Sequence, residues 1–402
     1  MIELRGISWD HPRGHDAMVA TVPRFQAEHP AVRVDWQTRS LRDFGEFPVQ
    51  VLAERYDLLV IDHPFVGFAA VDGCLLPLDD YLDPAVLSEQ AANSVGGSHA
   101  SYWYGGHQWA LANDAAAHVA AYRPDLLDRI GGMPATWRDV LAAARRGQAG
   151  NVPRVAVPLV AVDAIMVFCS LSVAIGEPPF ATPEVAVSRT TGRQVLAVMR
   201  QLQQRCHPAS LDLNPPGALD LMSTTDEVAY IPLLFGYSNY ARPGFRRHLV
   251  RFSPVPSFAD QPQRGGILGG AGIAVSRRTA HPREAADYAA FVTRADIQRG
   301  SYFAGGGQPG HRLAWLDDAV NAASSNFFRD TLAGLDDAYV RPRYAGYQAM
   351  QEEAGERIHA WLRAGSADDT LLDTLDDLYR ASNPPAAATP GGEMNFRDGL
   401  RS

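Results

Sequence analysis

Two tripeptides, Trp9-Asp10-His11 and Ile61-Asp62-His63, place a carboxylate beside an imidazole at the end of a strand-like run. Such a pair can move protons near neutral pH, and it is equally suited to hydrogen bonding with the hydroxyls of a polyol. If both runs are parallel strands, their carboxyl ends line the crevice where open α/β sheets bind ligands. Trp9, Asp10, His11, Asp62 and His63 would then face one crevice. The alternative is that the aspartates cap the following helices and the histidines are solvated. Aromatic side chains gather in two further segments, Trp103, Tyr104 and Trp109 in one, Tyr230, Phe235, Tyr237 and Tyr240 in the other. An apolar face with a polar tip suits stacking on a sugar ring or an apolar ligand, and it suits core packing as well.

Other chemistries are excluded by residue type. All 36 basic residues of the 402 are arginine. A Walker A loop, a kinase β3 lysine and a Schiff-base lysine are therefore impossible. Gly305–Gly310 (GGGQPG) has the spacing of a dinucleotide fingerprint, but it follows an amphipathic helix and carries Pro309 where backbone amides would cradle phosphate. It reads as a flexible or ligand-facing loop. In Gly265–Ser276 (GGILGGAGIAVS) five glycines lead into an apolar strand, which fits either a tight turn or a close backbone approach to a ligand. No GxSxG or HExxH string occurs, and Cys74, Cys169 and Cys206 match no zinc or redox spacing. The cysteines read as small buried hydrophobes. No cofactor and no metal site are expected. The net charge of −9, without a basic block, argues against a nucleic-acid partner.

The elements that must hold these residues follow from periodicity. Glu3–Trp9 reads as a strand, Met18, Val22 and Phe25 as a helix that Pro23 kinks or restarts, and Val32–Trp36 as a second strand. Tyr56–Asp62 is a continuous apolar run, as in a strand buried on both faces. This alternation predicts an α/β layer with right-handed crossovers. Thr136 and Asp139 form a capping-box-like start to a helix, and further helices are predicted around Val195–Leu202, Arg283–Arg299, Ile358–Leu362 and Leu371–Leu378. Val155–Ile175 is nearly apolar enough for a membrane span. Pro158, Asp163, Ser170 and Ser172 interrupt it, so a buried strand followed by a buried helix is expected, without membrane insertion. The tail after Ser382, rich in Pro, Gly and Ala, is expected to be mobile. The first residues show no basic segment followed by an apolar one, so no secretory signal is read there.

In order, FQAEHPAVRVDW, YDLLVIDHPFVGFAAVDGCLLPLDDYLD, HQWALANDAAAHVAAYRPDLLDRIGGMPATWRDVLAAAR and GGILGGAGIAVSRRTAHPREAADYAAFV resemble segments of the family 1 extracellular solute-binding proteins. These are the receptors of ABC importers for sugars and related solutes. The likeness spans roughly residues 3–380. It implies a two-lobed periplasmic-binding-protein-like α/β fold of the class II type, each lobe a mixed sheet flanked by helices, joined by hinge strands. The implied lobes are 1–111 plus 266–311 and 112–265 plus 312–382, with 383–402 a mobile tail. Carried over by position, ligand contacts fall at Trp9, Asp10, His11, Asp62, His63, Asn113, Asp114, Tyr237, Gly269, Gly270 and Gln308. Tyr122-Arg123-Pro124 departs from the Tyr-Asn pair common in the family.

The reading that follows is reversible binding of a small hydroxylated solute with hinge closure, by a monomer that meets an ABC permease if exported. The competing reading is a cofactor-independent hydrolase, isomerase or lyase that uses the two histidines in the same cleft. Metal-ion capture would need a tyrosine cluster that the sequence does not display. The family is periplasmic or extracellular, whereas a chain without a signal would stay in the cytoplasm.

Overall fold

Alternating apolar residues build the first two strands. β1 (Ile2–Trp9) and β2 (Val32–Arg39) pair in parallel from Ile2↔Val32 to Trp9↔Arg39, burying Leu4, Ile7, Val34 and Trp36. Gly6 leaves room for the Trp36 indole, whose ring atoms would lie 2.6 Å from an added Cβ. β3 (Leu58–Ile61), buried at every position, joins β1 in parallel. A short hairpin, β4 (Trp103–Tyr104) with β5 (His107–Gln108), precedes β6 (Leu111–Tyr122), and β7 (Arg154–Val155), β8 (Val228–Phe235), β9 (Arg251–Ser253) and β10 (Leu268–Val275) follow. This computed structural model describes residues 1–46, 48–150, 152–258 and 266–382. Gly265 and the tail 383–402 lie outside the described residues.

The main sheet runs β2-β1-β3-β10-β6-β8-β7, with β9 also on β6. β10 is antiparallel to β3 and β6, and β8 is antiparallel to β6, so the sheet is mixed as expected. β6 carries the continuity: its first half, 111–117, pairs with β10, and its second half, 118–122, pairs with β8 and β9. One apolar cluster packs around β1–β3, β10 and the helix Pro282–Thr293, including Leu4, Phe25, Ile273 and Tyr288. Another surrounds the helix Ala161–Ile175, including Phe168, Leu196, Ile358 and Leu375.

Local signals match their elements closely. Pro23 restarts the helix, which appears as Ala17–Val19 and Val22–Glu28. Thr136 and Asp139 form the reciprocal capping box, Thr136 Oγ1 accepting from Asp139 N at 3.2 Å and Asp139 Oδ2 from Thr136 N at 3.0 Å. The helix expected over Arg283–Arg299 stops at Thr293, because Arg294 is extended and ties itself to Glu28 and Asp296, before a short turn resumes at Ala295–Ile297. The apolar run ends in the fully packed helix Ala161–Ile175, and no helix among the described residues is long and apolar enough to cross a membrane.

Candidate functional site

The register brings the carboxyl ends of β1 and β3 to one edge of the sheet. Because β10 is antiparallel (Gly272↔Ile61) and pairs Gly270 with Ala115, the start of β10 and residues 114–117 of β6 reach that same edge. A cavity of about 580 Å³ opens there. Trp9, Asp62 and Asp114 stand on one side, and the starts of the helices Ala161–Ile175 and Pro215–Thr224 stand on the other. Phe44, Met166, Phe235 and Tyr237 contribute apolar and aromatic wall. Phe44 packs on Trp9 with ring centroids 4.9 Å apart.

Two buried arginines neutralise the two aspartates of the sheet edge. Arg13 grips Asp114 in bidentate fashion, Nε to Oδ2 at 2.8 Å and Nη2 to Oδ1 at 2.5 Å, and donates to the Gly236 carbonyl at 2.9 Å. Its guanidinium also lies 4.5 Å from the Tyr237 ring centroid. Burial opposes charge on Arg13, yet the Asp114 carboxylate outweighs it and raises the arginine pKa. Arg341 donates from Nη2 to both Asp62 oxygens at 2.8 and 2.7 Å and from Nη1 to Gln351 at 3.0 Å. Burial pushes the Asp62 carboxyl up, but Arg341 and then His63 pull it well below the ordinary carboxylate range. The segment that carries Arg341 is seated on Gly67, where an added Cβ would lie 1.6 Å from the Arg343 carbonyl oxygen.

Asp163 is the exception on this wall. It sits in the first turn of the helix Ala161–Ile175, lines the cavity, is 5% exposed, and its Oδ2 has no hydrogen-bond partner. Burial alone pushes its pKa up to about 8. The folded state therefore holds a proton that the unfolded chain releases near pH 4, so this group's stabilising contribution is full at low pH and fades as pH rises to about 8. Asp163→Asn, which mimics the protonated form, is expected to raise stability at pH 7 by roughly 3 kcal/mol and to leave it nearly unchanged at pH 4. Urea unfolding at both pH values checks this, and equal effects at the two would refute the uncompensated carboxyl.

The residues singled out from sequence distribute unevenly around the cavity. Trp9, Asp62, Asp114, Tyr237, Gly269 and Gly270 line it. Asp10 is exposed and lies outside it. His11, and not the aspartate beside it, caps the turn at Pro12–Asp16, its Nδ1 accepting from Arg13 N at 3.0 Å, while its ring meets Tyr237 edge-on at 5.0 Å. His63 is wholly buried, 3.2 Å from Asp62 Oδ1, and burial and then Arg341 lower its pKa to about 4. Asn113 is buried and donates to the Tyr302 hydroxyl at 3.1 Å. Gln308 is consumed by backbone, accepting from Ser238 N at 2.9 Å and donating to the carbonyls of Ala115 and Gly236. Gly269 and Gly270 serve close approach within the sheet: a Cβ on the first would meet Phe235 at 2.5 Å, and the second, at φ +104°, would meet the Asp114 carbonyl at 2.5 Å. Arg13, Arg341, Phe44 and Asp163 were not singled out from sequence as site residues.

His63 thus lacks the solvent that the capping alternative assigned to it and is not among the residues that line the cavity, while His11 is half-buried. Comparison with solved structures agrees on the architecture. The maltose-bound MalE3 of T. maritima has a TM-score of 0.79 at 17% identity, covering 95% of this chain and 100% of that one. A solute-binding protein from Agrobacterium radiobacter in complex with ribitol has a TM-score of 0.78 at 18% identity, covering 94% and 98%. One from Thermotoga lettingae bound with α-D-tagatose has a TM-score of 0.79 at 14% identity, covering 95% and 100%. The two-lobed α/β fold is therefore the expected one. No curated protein matches the chain. The family described as bacterial extracellular solute-binding protein matches residues 10–299, and its members are binding proteins rather than enzymes, which leaves the catalytic alternative without support. The chain belongs to the bacterial extracellular solute-binding protein family.

Proposed function

We propose that the protein takes up a small hydroxylated solute, a sugar or polyol, in this cavity and delivers it to an ABC permease as a monomeric receptor. The carrying observation is the cavity itself: about 580 Å³, of the size that suits a small ligand, with aromatic wall from Phe44, Trp9 and Tyr237 beside the polar groups of the sheet edge. Maltose, ribitol and tagatose in the similar structures support the ligand class. The lobes are 1–111 plus 266–311 and 112–265 plus 312–382 (259–265 lying outside the described residues), a division supported by β6, whose first half pairs with β10 and whose second half pairs with β8 and β9. Ligand contacts come from Trp9, Asp62, Asp114, Tyr237, Gly269 and Gly270. Asp10 and His11 lie outside the cavity; His63 stands behind Asp62, and Asn113 and Gln308 hold Tyr302 and the neighbouring backbone rather than the solute.

A solute that touches both lobes binds only their closed arrangement, and so shifts the population toward it by its differential affinity. Thermal unfolding against a panel of sugars and polyols, neutral and aminated, is the test. A true ligand at about a hundred times its Kd adds roughly 2.7 kcal/mol of stability, and Phe44→Ala should weaken its binding on the order of tenfold. A folded sample stabilised by no member of the panel would overturn the proposal.

A further inference from the structure

Charge pairing on the cavity wall is nearly complete. Asp62 is matched by Arg341, Asp114 by Arg13, and Asp212 by Arg363, while Arg42 and Glu356, opposite in sign, are exposed at the mouth. Asp163 alone among these wall acids is buried without a basic partner, and its Oδ2 has no hydrogen bond of any kind. A buried polar group is ordinarily satisfied, and an orphaned carboxyl on a ligand cavity marks a place where the ligand supplies the missing partner. Its position in the first turn of a fifteen-residue helix favours the carboxylate form once a counter-ion arrives.

Resting on the solute-binding reading above, we infer that the physiological ligand carries a basic nitrogen among its hydroxyls, as an aminated sugar or polyol does, and that Asp163 is the acid that pairs with it. The ligand's ammonium replaces the proton that Asp163 otherwise holds, forming an ion pair in a site where no protein cation competes for that carboxyl. A hydroxyl in the same place would return only a neutral hydrogen bond, the weaker of the two.

Matched pairs that differ at one group test this: D-glucose with D-glucosamine, D-galactose with D-galactosamine, and D-sorbitol with 1-amino-1-deoxy-D-sorbitol, titrated calorimetrically into the full chain at pH 7. In at least one pair the amine is expected to bind 30-fold or more tighter than its alcohol. Asp163→Asn should erase that preference, so that each amine binds no more tightly than its alcohol. Alcohols that bind as tightly as their amines, or a preference that survives in Asp163→Asn, would overturn the inference and leave the hydroxylated-solute reading standing. A folded protein that binds no compound of either kind would overturn both. The wild-type comparison is independent of how the variant folds.

Discussion

Asp114→Ala is expected to cost about 3–5 kcal/mol of unfolding free energy, because it strands the buried Arg13 guanidinium without its counter-charge. Arg13 would keep its bond to the Gly236 carbonyl and its place over Tyr237, but neither supplies a negative charge. Replacing both partners, Arg13→Met with Asp114→Leu, removes the orphan together with the pair and should recover all but about 1–2 kcal/mol. Urea unfolding of the two variants decides the matter. A single variant within 1 kcal/mol of wild type would mean that water reaches Arg13 after all. The effect is specific to a cation sealed in place: exposed ion pairs such as Arg193–Asp369 are screened by water and should contribute far less.

Acid should unfold the protein sharply. His11, His63 and His99 have pKa values lowered to about 4 and His118 to about 3, in each case chiefly by burial. Their folded-state values lie below the ordinary 6.5, so the unfolded chain takes up protons first as pH falls. The stability they contribute is complete above about pH 6.5 and is lost progressively on the way down to about 4. At pH 4.5 each costs about 2–3 kcal/mol, and together they match the whole margin of a typical fold. The expected result is cooperative unfolding with a midpoint near pH 5 and uptake of about three to four protons. His118→Asn, which keeps a polar atom near Ser170, should lower the midpoint and reduce the uptake by about one proton. Stability that stays flat from pH 7 to 4.5 would refute the burial of neutral imidazoles.

Much of the fold was legible because its signals are local. Alternation in β2, the unbroken apolar run of β3 and the Thr136–Asp139 box each act within a few residues, and each produced its element. Asp62 could be named because it follows a parallel strand, and strand direction fixes where such residues collect, whereas Asp114, inside the antiparallel β6, was named only through the family resemblance. What escaped reading is long-range. Arg13 and Asp114 are 101 positions apart, Arg341 and Asp62 are 279 apart, and one arginine among 36 carries no local mark of the acid it will meet. Gly269 and Gly270 left a turn and a close approach equally open, since the Phe235 ring and the Asp114 carbonyl that require them belong to other strands. Asp163 did leave a trace, a lone acid near the start of an apolar helix. Its meaning emerged only when packing left it 5% exposed on the cavity wall without a partner for Oδ2.

The continuity of β6 has a mechanical consequence. A rotation of one half against the other, as the proposed closure requires, would twist this strand and its neighbour β10, which pair with strands on both sides. Six of the residues in Leu111–Tyr122 are alanine, whose methyl groups interlock little with the layers above and below. With such small side chains, the strand would yield to that twist as a torsion bar does.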